Sequence, residues 1–259
     1  MRNNTSNPAD GGGKTGVQAI ARAAAVLRAL ERAPTGLTLS QLAAAVELPK
    51  STGHRIVAAL AEEQLVAHER GGAIRLGSAA ARLGAASREA LGERLRPVLL
   101  GLRRDLDETV DLAVLDGGCV RFVDQVPAPR RLRATSSIGE LFPLHCTANG
   151  KALLAALPEA RVLELLPARL PRFTPNTETS REQLLTELAT VRRQGIAFDR
   201  EEHTEGICAI GAAISDGDDP AAAAISVPVP SQRFAAAEAT IASATKAAAK
   251  AATGLLSVS

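Results

Sequence analysis

The sequence predicts an α+β chain in two parts: a winged helix-turn-helix near the N-terminus and a larger half of helices and mainly antiparallel strands. Three observations predict it. Residues 38–76 hold two short helical patterns joined by a tight turn, followed by two short runs around Gly71-Gly72. From residue 110 the apolar spacing changes from the helical period to alternation, with Gly/Asp turns between the runs. Helices and antiparallel runs are mixed in that second half, which is not the regular strand–helix repeat of a Rossmann unit.

The elements follow in chain order. Residues 1–16 are polar and glycine-rich, and are expected to be a disordered tail. GGGKT at 11–15 is not a phosphate loop, because Pro8 stands where that motif needs its first glycine and no strand precedes it. Ile20, Ala24, Leu27 and Leu30 mark a helix from Val17 to Ala33, ended by Pro34-Thr35-Gly36. Thr38 followed by Gln41 has the spacing of a capping box, and Leu39, Leu42 and Val46 give the next helix one apolar face. Pro49 suits the first turn of a further helix. There Gly53, Ile56, Val57 and Leu60 form the back, Ser51, His54, Arg55 and Ala58 the front, and Lys50 and Thr52 the flanks. Leu65–Glu69 and Ala73–Leu76 pair as a hairpin with Arg70 near its tip, which reads as the wing.

A helix from Ser78 to Ala90 links the halves, a boundary is placed at Leu91-Gly92, and a second helix runs from Glu93 to Asp107. Val110, Leu112 and Val114, the turn Asp116-Gly117-Gly118, then Val120, Phe122 and Val126 make a hairpin. Leu132–Ser137 is a candidate strand. Thr147 is a good N-cap for a helix from Ala148 to Leu157. A helix at Ser180–Gln194 closes on Gly195. Strands are expected at 196–199, 206–214 and 222–229, and an alanine-rich helix at Phe234–Leu256.

Composition narrows the function. The net charge of +2 is uneven: residues 1–78 carry nine Lys/Arg against six Asp/Glu, while the rest carries 21 against 22. That is a mild tilt toward a nucleic-acid partner at the N-terminal end. A helix with a greasy back and a front of short polar and basic groups can lie in the major groove, with the wing on a flanking phosphate or the minor groove. The plainer reading is a small helical domain with a solvated face; the wing and the preceding helix weigh against it. Cys119, Cys146 and Cys208 form no even framework, no signal peptide is seen, and no run reaches the ~18 apolar residues of a membrane span. A cytoplasmic protein with no membrane partner is expected.

From residue 17 to 259 the chain resembles the IclR family of bacterial transcription regulators. The resemblance rests on LSQLAAAVELPKSTGHRIVAAL, IRLG at 74–77, ETVDLAVLDGGCVRFVDQV, IGELFPLHCTANGKALLA, RRQGIAFDREEHTEGICAIGAAI and AAAISVPVP, in that order. It implies a winged helix-turn-helix at 17–77, a linker helix at 78–90 and a GAF-like effector domain at 91–259. It also implies a homodimer or homotetramer on a palindromic double-stranded DNA operator, repressing or activating catabolic genes, with a small organic acid or aromatic as effector and no cofactor. Gln41, Lys50, Ser51, Thr52, His54, Arg55 and Arg70 would hold the operator. The family's effector pocket falls on Ala134, Phe142, Ala148, Asn149, Asp199, Ile207 and Ala209. A position often occupied by Cys in relatives is Ala209 here, so the adjacent Cys208 is also a candidate, as is Cys146.

Other readings are weighed beside these. His145, Cys146, His203 and Cys208 lack zinc-ligand spacing, and no third group is seen to orient a Cys–His pair. A structural cysteine is the commoner case, and neither a metal nor a catalytic residue is expected. The rival class is a small-molecule enzyme using Cys146 or Cys208, which turnover of candidate metabolites would reveal. A third is a constitutive DNA binder whose second half only oligomerises. His203 in DREEHTEG reads as the cap of a solvated acidic loop. Asp199 reads either as a surface charge after a strand or as an acceptor inside the pocket. The first N–H groups of the helix at Thr147 could hold a ligand carboxylate, although water could equally satisfy them.

Overall fold

The computed structural model describes residues 12–33, 35–134, 136–217 and 219–257. The chain divides into two compact units between Ser87 and Arg88. In the first, α1 (Gly12–Glu31), α2 (Leu39–Ala45) and α3 (Lys50–Glu62) combine with β1 (Leu37–Thr38), β2 (Val66–His68) and β3 (Ala73–Leu76). The strands form an antiparallel sheet ordered β1-β3-β2. Val26, Leu30, Leu42, Val57, Leu60, Val66 and Ile74 are its core; of the predicted α1 face Leu30 is buried and Ala24 and Leu27 half-buried, whereas Ile20 is exposed. Helix α1 begins inside the stretch expected as a tail, because a helix nucleated by its apolar spacing extends at one backbone bond per residue. The rest of that tail, residues 1–11, and Pro34 of the expected stop lie outside the described residues.

Both halves of the predicted capping box form: Gln41 N donates to Thr38 Oγ1, and Thr38 N donates to Gln41 Oε1 at 2.9 Å. Gly71 and Gly72 have positive φ, as the wing turn requires. Gly77 ends the wing beneath the α3 exit, where a Cβ would stand 2.2 Å from the Gln64 carbonyl oxygen. Strand β1 is an addition to the expected hairpin, two residues long and paired with β3.

Helix α4 runs without a break from Ser78 to Leu106, where two helices were expected. Gly92 does not interrupt it; the glycine is buried against Asp124 Cβ, 3.6 Å from where its own Cβ would be. The second unit is built on a six-stranded antiparallel sheet ordered β6-β5-β4-β9-β8-β7. Its strands are β4 (Val110–Asp116), β5 (Cys119–Val126), β6 (Leu141–Pro143), β7 (Ala197–Arg200), β8 (Ile207–Ile214) and β9 (Ala223–Pro230). One face packs on Leu95, Leu99 and Leu102 of α4 and on Phe234, Ile241 and Ala252 of α8 (Ser231–Leu256). The other packs on α5 (Ala148–Ala156), α6 (Glu159–Leu165) and α7 (Arg181–Gln194) through Leu153, Leu154, Val162, Leu184 and Leu188. Thr147 caps α5, and Gly195 closes α7 in the left-handed conformation, as expected.

Three departures bear on the site. The candidate strand 132–137 does not form among its described residues; β6 holds the edge beside β5 instead. The segment before it is tied by side chains to the β4 end: Thr109 Oγ1 donates to the Ala134 carbonyl, and Arg130 donates to that of Asp107. A β-bulge shifts the β4–β5 register between Leu112 and Ala113. Val120 and Phe122 therefore face α5, while Val126 faces α8, although the sequence shows one uninterrupted alternation. Helix α6 was not predicted; its seven residues bury only Val162.

Candidate functional site

In the first unit the front of α3 is laid out as its spacing predicts. Gly53, Val57 and Leu60 are buried, whereas Lys50, Ser51, His54 and Arg55 are exposed and Thr52 half-exposed. Gly53 faces α2: a Cβ there would make ordinary contact with Ala43 Cβ at 3.4 Å. Among the described residues, Lys50, His54, Arg55 and Arg70 have no hydrogen bond or ion pair within the chain, whereas Arg75 of the wing pairs with Glu69 at 3.2 Å. Gln41 is exposed, but its side-chain oxygen is committed to the α2 cap. The face therefore offers Lys50, Arg55 and the imidazole of His54 unpaired on one helix, and Arg70 at the wing tip.

In the second unit a cavity of about 270 Å³ lies between the sheet and the start of α5. Register defines its floor. Asp111, Ser226 and Gly211 form one row across β4, β9 and β8; Pro228, Ala209 and Asp199 form the next across β9, β8 and β7. Gly211 has no Cβ for a physical reason: it would stand 2.8 Å from the Ala148 carbonyl oxygen and 3.1 Å from Asn149 N. The N-terminus of α5 is thereby seated on the sheet, with Thr147, Ala148 and Asn149 on the cavity wall. Phe122 and Phe142 meet edge-on at 5.0 Å and make the apolar side.

All seven residues placed here by the family resemblance, Ala134, Phe142, Ala148, Asn149, Asp199, Ile207 and Ala209, line this one cavity. Cys146 and Cys208 do not. Alternation along β8 turns Cys208 to the opposite face, into the α4/α8 core, with Ala209 toward the cavity. Cys146 is fully buried, and burial followed by the charges of Asp199 and Glu202 pushes its thiol far above the usual range; burial raises Cys208 to about 11. Neither is a ready thiolate.

The DREEHTEG segment is solvated only in part: Arg200, Thr204, Glu205 and Gly206 are exposed. Glu202 is buried and ion-paired with Lys151, which is itself fully buried and also meets Glu187 at 2.6 Å. Burial works to lower the Lys151 pKa, but the two carboxylates prevail and raise it. Glu202 N donates to Asp199 Oδ1 at 2.7 Å, which fixes that carboxylate at the cavity. His203 stacks on Phe142 with ring centres 4.2 Å apart, and burial lowers its pKa. The surface-charge reading of Asp199 is thus set aside: it is 6% exposed, and burial pushes its carboxyl up to about 7.

Sequence reasoning missed Asp111, Phe122, Arg133, Ser136, His203, Thr204, Ser226 and Pro228 as cavity residues. Asp111 is 2% exposed; burial pushes it to about 6, against hydrogen bonds from Gln125 and Ser136 that lower it. One signal was present: an Asp between the apolar residues Val110 and Leu112, in a strand whose residues 110–114 prove all buried. Lys151 also had one, because α5 is buried all round and leaves its lysine no route to solvent.

Two family models match the chain. Bacterial transcriptional regulator IclR C-terminal covers residues 83–254, and the IclR helix-turn-helix domain covers residues 19–70. The HTH-type transcriptional regulator Rv1719 of Mycobacterium tuberculosis is 50% identical over 231 residues, 88% of each chain. TtgV of Pseudomonas putida, also an HTH-type transcriptional regulator, is 42% identical over 74% of each chain. A crystal structure of an IclR homologue from Microbacterium hydrocarbonoxydans, complexed with 4-hydroxybenzoate, superposes with a TM-score of 0.61 at 26% identity. The match covers 93% of this chain and all of that one. The matched families and relatives are transcriptional regulators, not enzymes.

Proposed function

The chain belongs to the IclR family of bacterial transcriptional regulators, with a helix-turn-helix domain and an effector-binding domain, and on that premise we propose how it reads DNA and ligand. Residues 17–77 bind a palindromic operator, 78–90 link, and 91–259 hold the effector. The α3 front enters the major groove, with Arg55 and His54 toward base edges and Lys50, Ser51 and Thr52 on phosphates; Arg70 reaches a flanking phosphate and Gln41 supports the approach. One such helix spans few base pairs, so a dimer or dimer of dimers reads paired half-sites.

The effector is a small organic acid or a hydroxylated aromatic. One observation carries this reading: Phe142, the α5 N-terminus and Asp199 meet in a single cavity, apolar on one side and polar at its ends. Ala148 and Asn149 open α5, so their N–H groups have no partner within the helix and carry its positive dipole end. A carboxylate fits there, and a ligand hydroxyl fits Asp199. With carboxyls near 6 and 7, Asp111 and Asp199 repel an anion less at neutral pH than their number suggests. The 4-hydroxybenzoate complex of the Microbacterium homologue supports a ligand of that kind. Calorimetry on the whole protein with a panel of such acids and their methyl esters tests it. The acids are expected to bind and the esters to bind at least tenfold more weakly; equal binding of the esters overturns the helix-end account.

A further inference from the structure

We propose that Asp111 is a second ligand-facing acceptor, so that the cavity selects a compound with two separate hydrogen-bond donors on one short apolar frame. This rests on the reading of the cavity as the effector site. Asp111 and Asp199 stand on β4 and β7, with β9 and β8 between them. Three strand spacings of about 4.8 Å and an offset of one row set the two residues roughly 16 Å apart along the sheet, on the face that the cavity covers.

A structural role explains Asp111 poorly. It sits on an inner strand, and among the described residues no basic side chain pairs with it. Its partners are neutral: Gln125 Nε2 donates to Oδ1 at 2.7 Å, and Ser136 hydrogen-bonds the carboxyl. A buried acid without a cation is costly, and an asparagine would hold the same two neighbours at lower cost. The bulge in β5 turns Gln125 to the same face as Phe122, three residues away, and so orients Asp111 within the cavity wall. A second observation agrees. Asn149 lines the same cavity, is 3% exposed, and its side-chain oxygen has no partner. One buried acceptor without a partner, beside two carboxylates that can each accept further hydrogen bonds, suits a ligand with more than one donor. Arg133 and the α5 end line the same cavity and suit one acidic group on the ligand, between the two hydroxyl or amino groups.

The test uses the full chain and two probe pairs measured by calorimetry: phenol against resorcinol, and 3-hydroxybenzoate against 3,5-dihydroxybenzoate. In each pair the two-donor compound is expected to bind about tenfold tighter or more, as suits a hydrogen bond to a charged acceptor. Asp111→Leu is expected to erase that advantage, and Asp111→Asn to reduce it; thermal melting confirms that at least one variant is folded. Equal affinities within each pair, or an advantage that survives in the folded variant, overturn the proposal. If the phenols show the advantage and neither acid binds, the acid-binding reading falls and this one stands. If no probe binds, both fall.

Discussion

The α3 face and the cavity both gather polar groups, but they treat charge in opposite ways. Lys50, His54, Arg55 and Arg70 stand in solvent with no side-chain partner among the described residues, so removing one is expected to leave the fold untouched and alter only what can dock. Lys151, Glu202, Asp199 and Asp111 are buried, and each is held by neighbours, so the cavity's chemistry and its stability are one system. Exposed charge is available to a partner at almost no folding cost, whereas buried charge must be compensated before any ligand arrives.

The sharpest way to break this contrast is to remove a buried partner. Lys151→Ala leaves Glu202 buried without its cation and is expected to destabilise the second unit by about 3–5 kcal/mol. Lys50→Ala is expected to change stability by no more than about 0.5 kcal/mol. Urea unfolding of both variants compares them directly, and similar small effects would mean that the Lys151 pairs carry little.

Asp199→Asn should act in the other direction and depend on pH. A carboxyl raised from 3.8 to about 7 prefers its proton in the folded state. Ionised Asp199 therefore costs nothing below pH ~4, and its cost grows with pH until it is complete above pH ~7. The amide keeps the acceptor for Glu202 N and removes that cost. The expected stabilisation is up to about 4 kcal/mol at pH 8 and close to none at pH 4, read as the difference in unfolding free energy at the two pH values. Stabilisation that is the same at both would mean that ionisation is not its source.

Arg55→Ala is expected to weaken binding to a DNA site selected from a random pool by about 1–3 kcal/mol and to relax preference at one base position. Its unfolding curve should match the natural protein's. Thr38→Ala, which removes one half of the α2 capping box, should cost about 1 kcal/mol of stability and change DNA preference at no position. A base-preference change in that variant would show that the cap also positions α3.

The same contrast explains what was legible in the sequence. The α3 front follows from spacing along one helix, so Lys50, Ser51, Thr52, His54 and Arg55 could be assigned to a face from local periodicity. The cavity is made by register between distant strands, and one bulge decides which side Phe122 and Gln125 share. Asp111 could be seen as an odd acid in an apolar strand, but not as a neighbour of residues 134, 199 and 228. Seven cavity positions were reached only because the family resemblance carried long-range register that periodicity lacks. Cys208 was misplaced by a single residue, which along β8 means the opposite face. His203 was misread because its loop is rich in acids; the buried Lys151 beneath it neutralises the nearest of them, Glu202.

A regulator of the proposed kind requires that occupancy of the cavity alter the hold of the α3 face on DNA. The most direct measurement titrates 3,5-dihydroxybenzoate into the preformed complex of the full chain with its selected DNA site, and follows the dissociation constant at fixed salt. The constant is expected to shift at least fivefold in the natural protein and to stay unchanged by ligand in the Asn149→Leu variant. An equal shift in both proteins, or ligand bound in the cavity with no shift at all, would contradict the account.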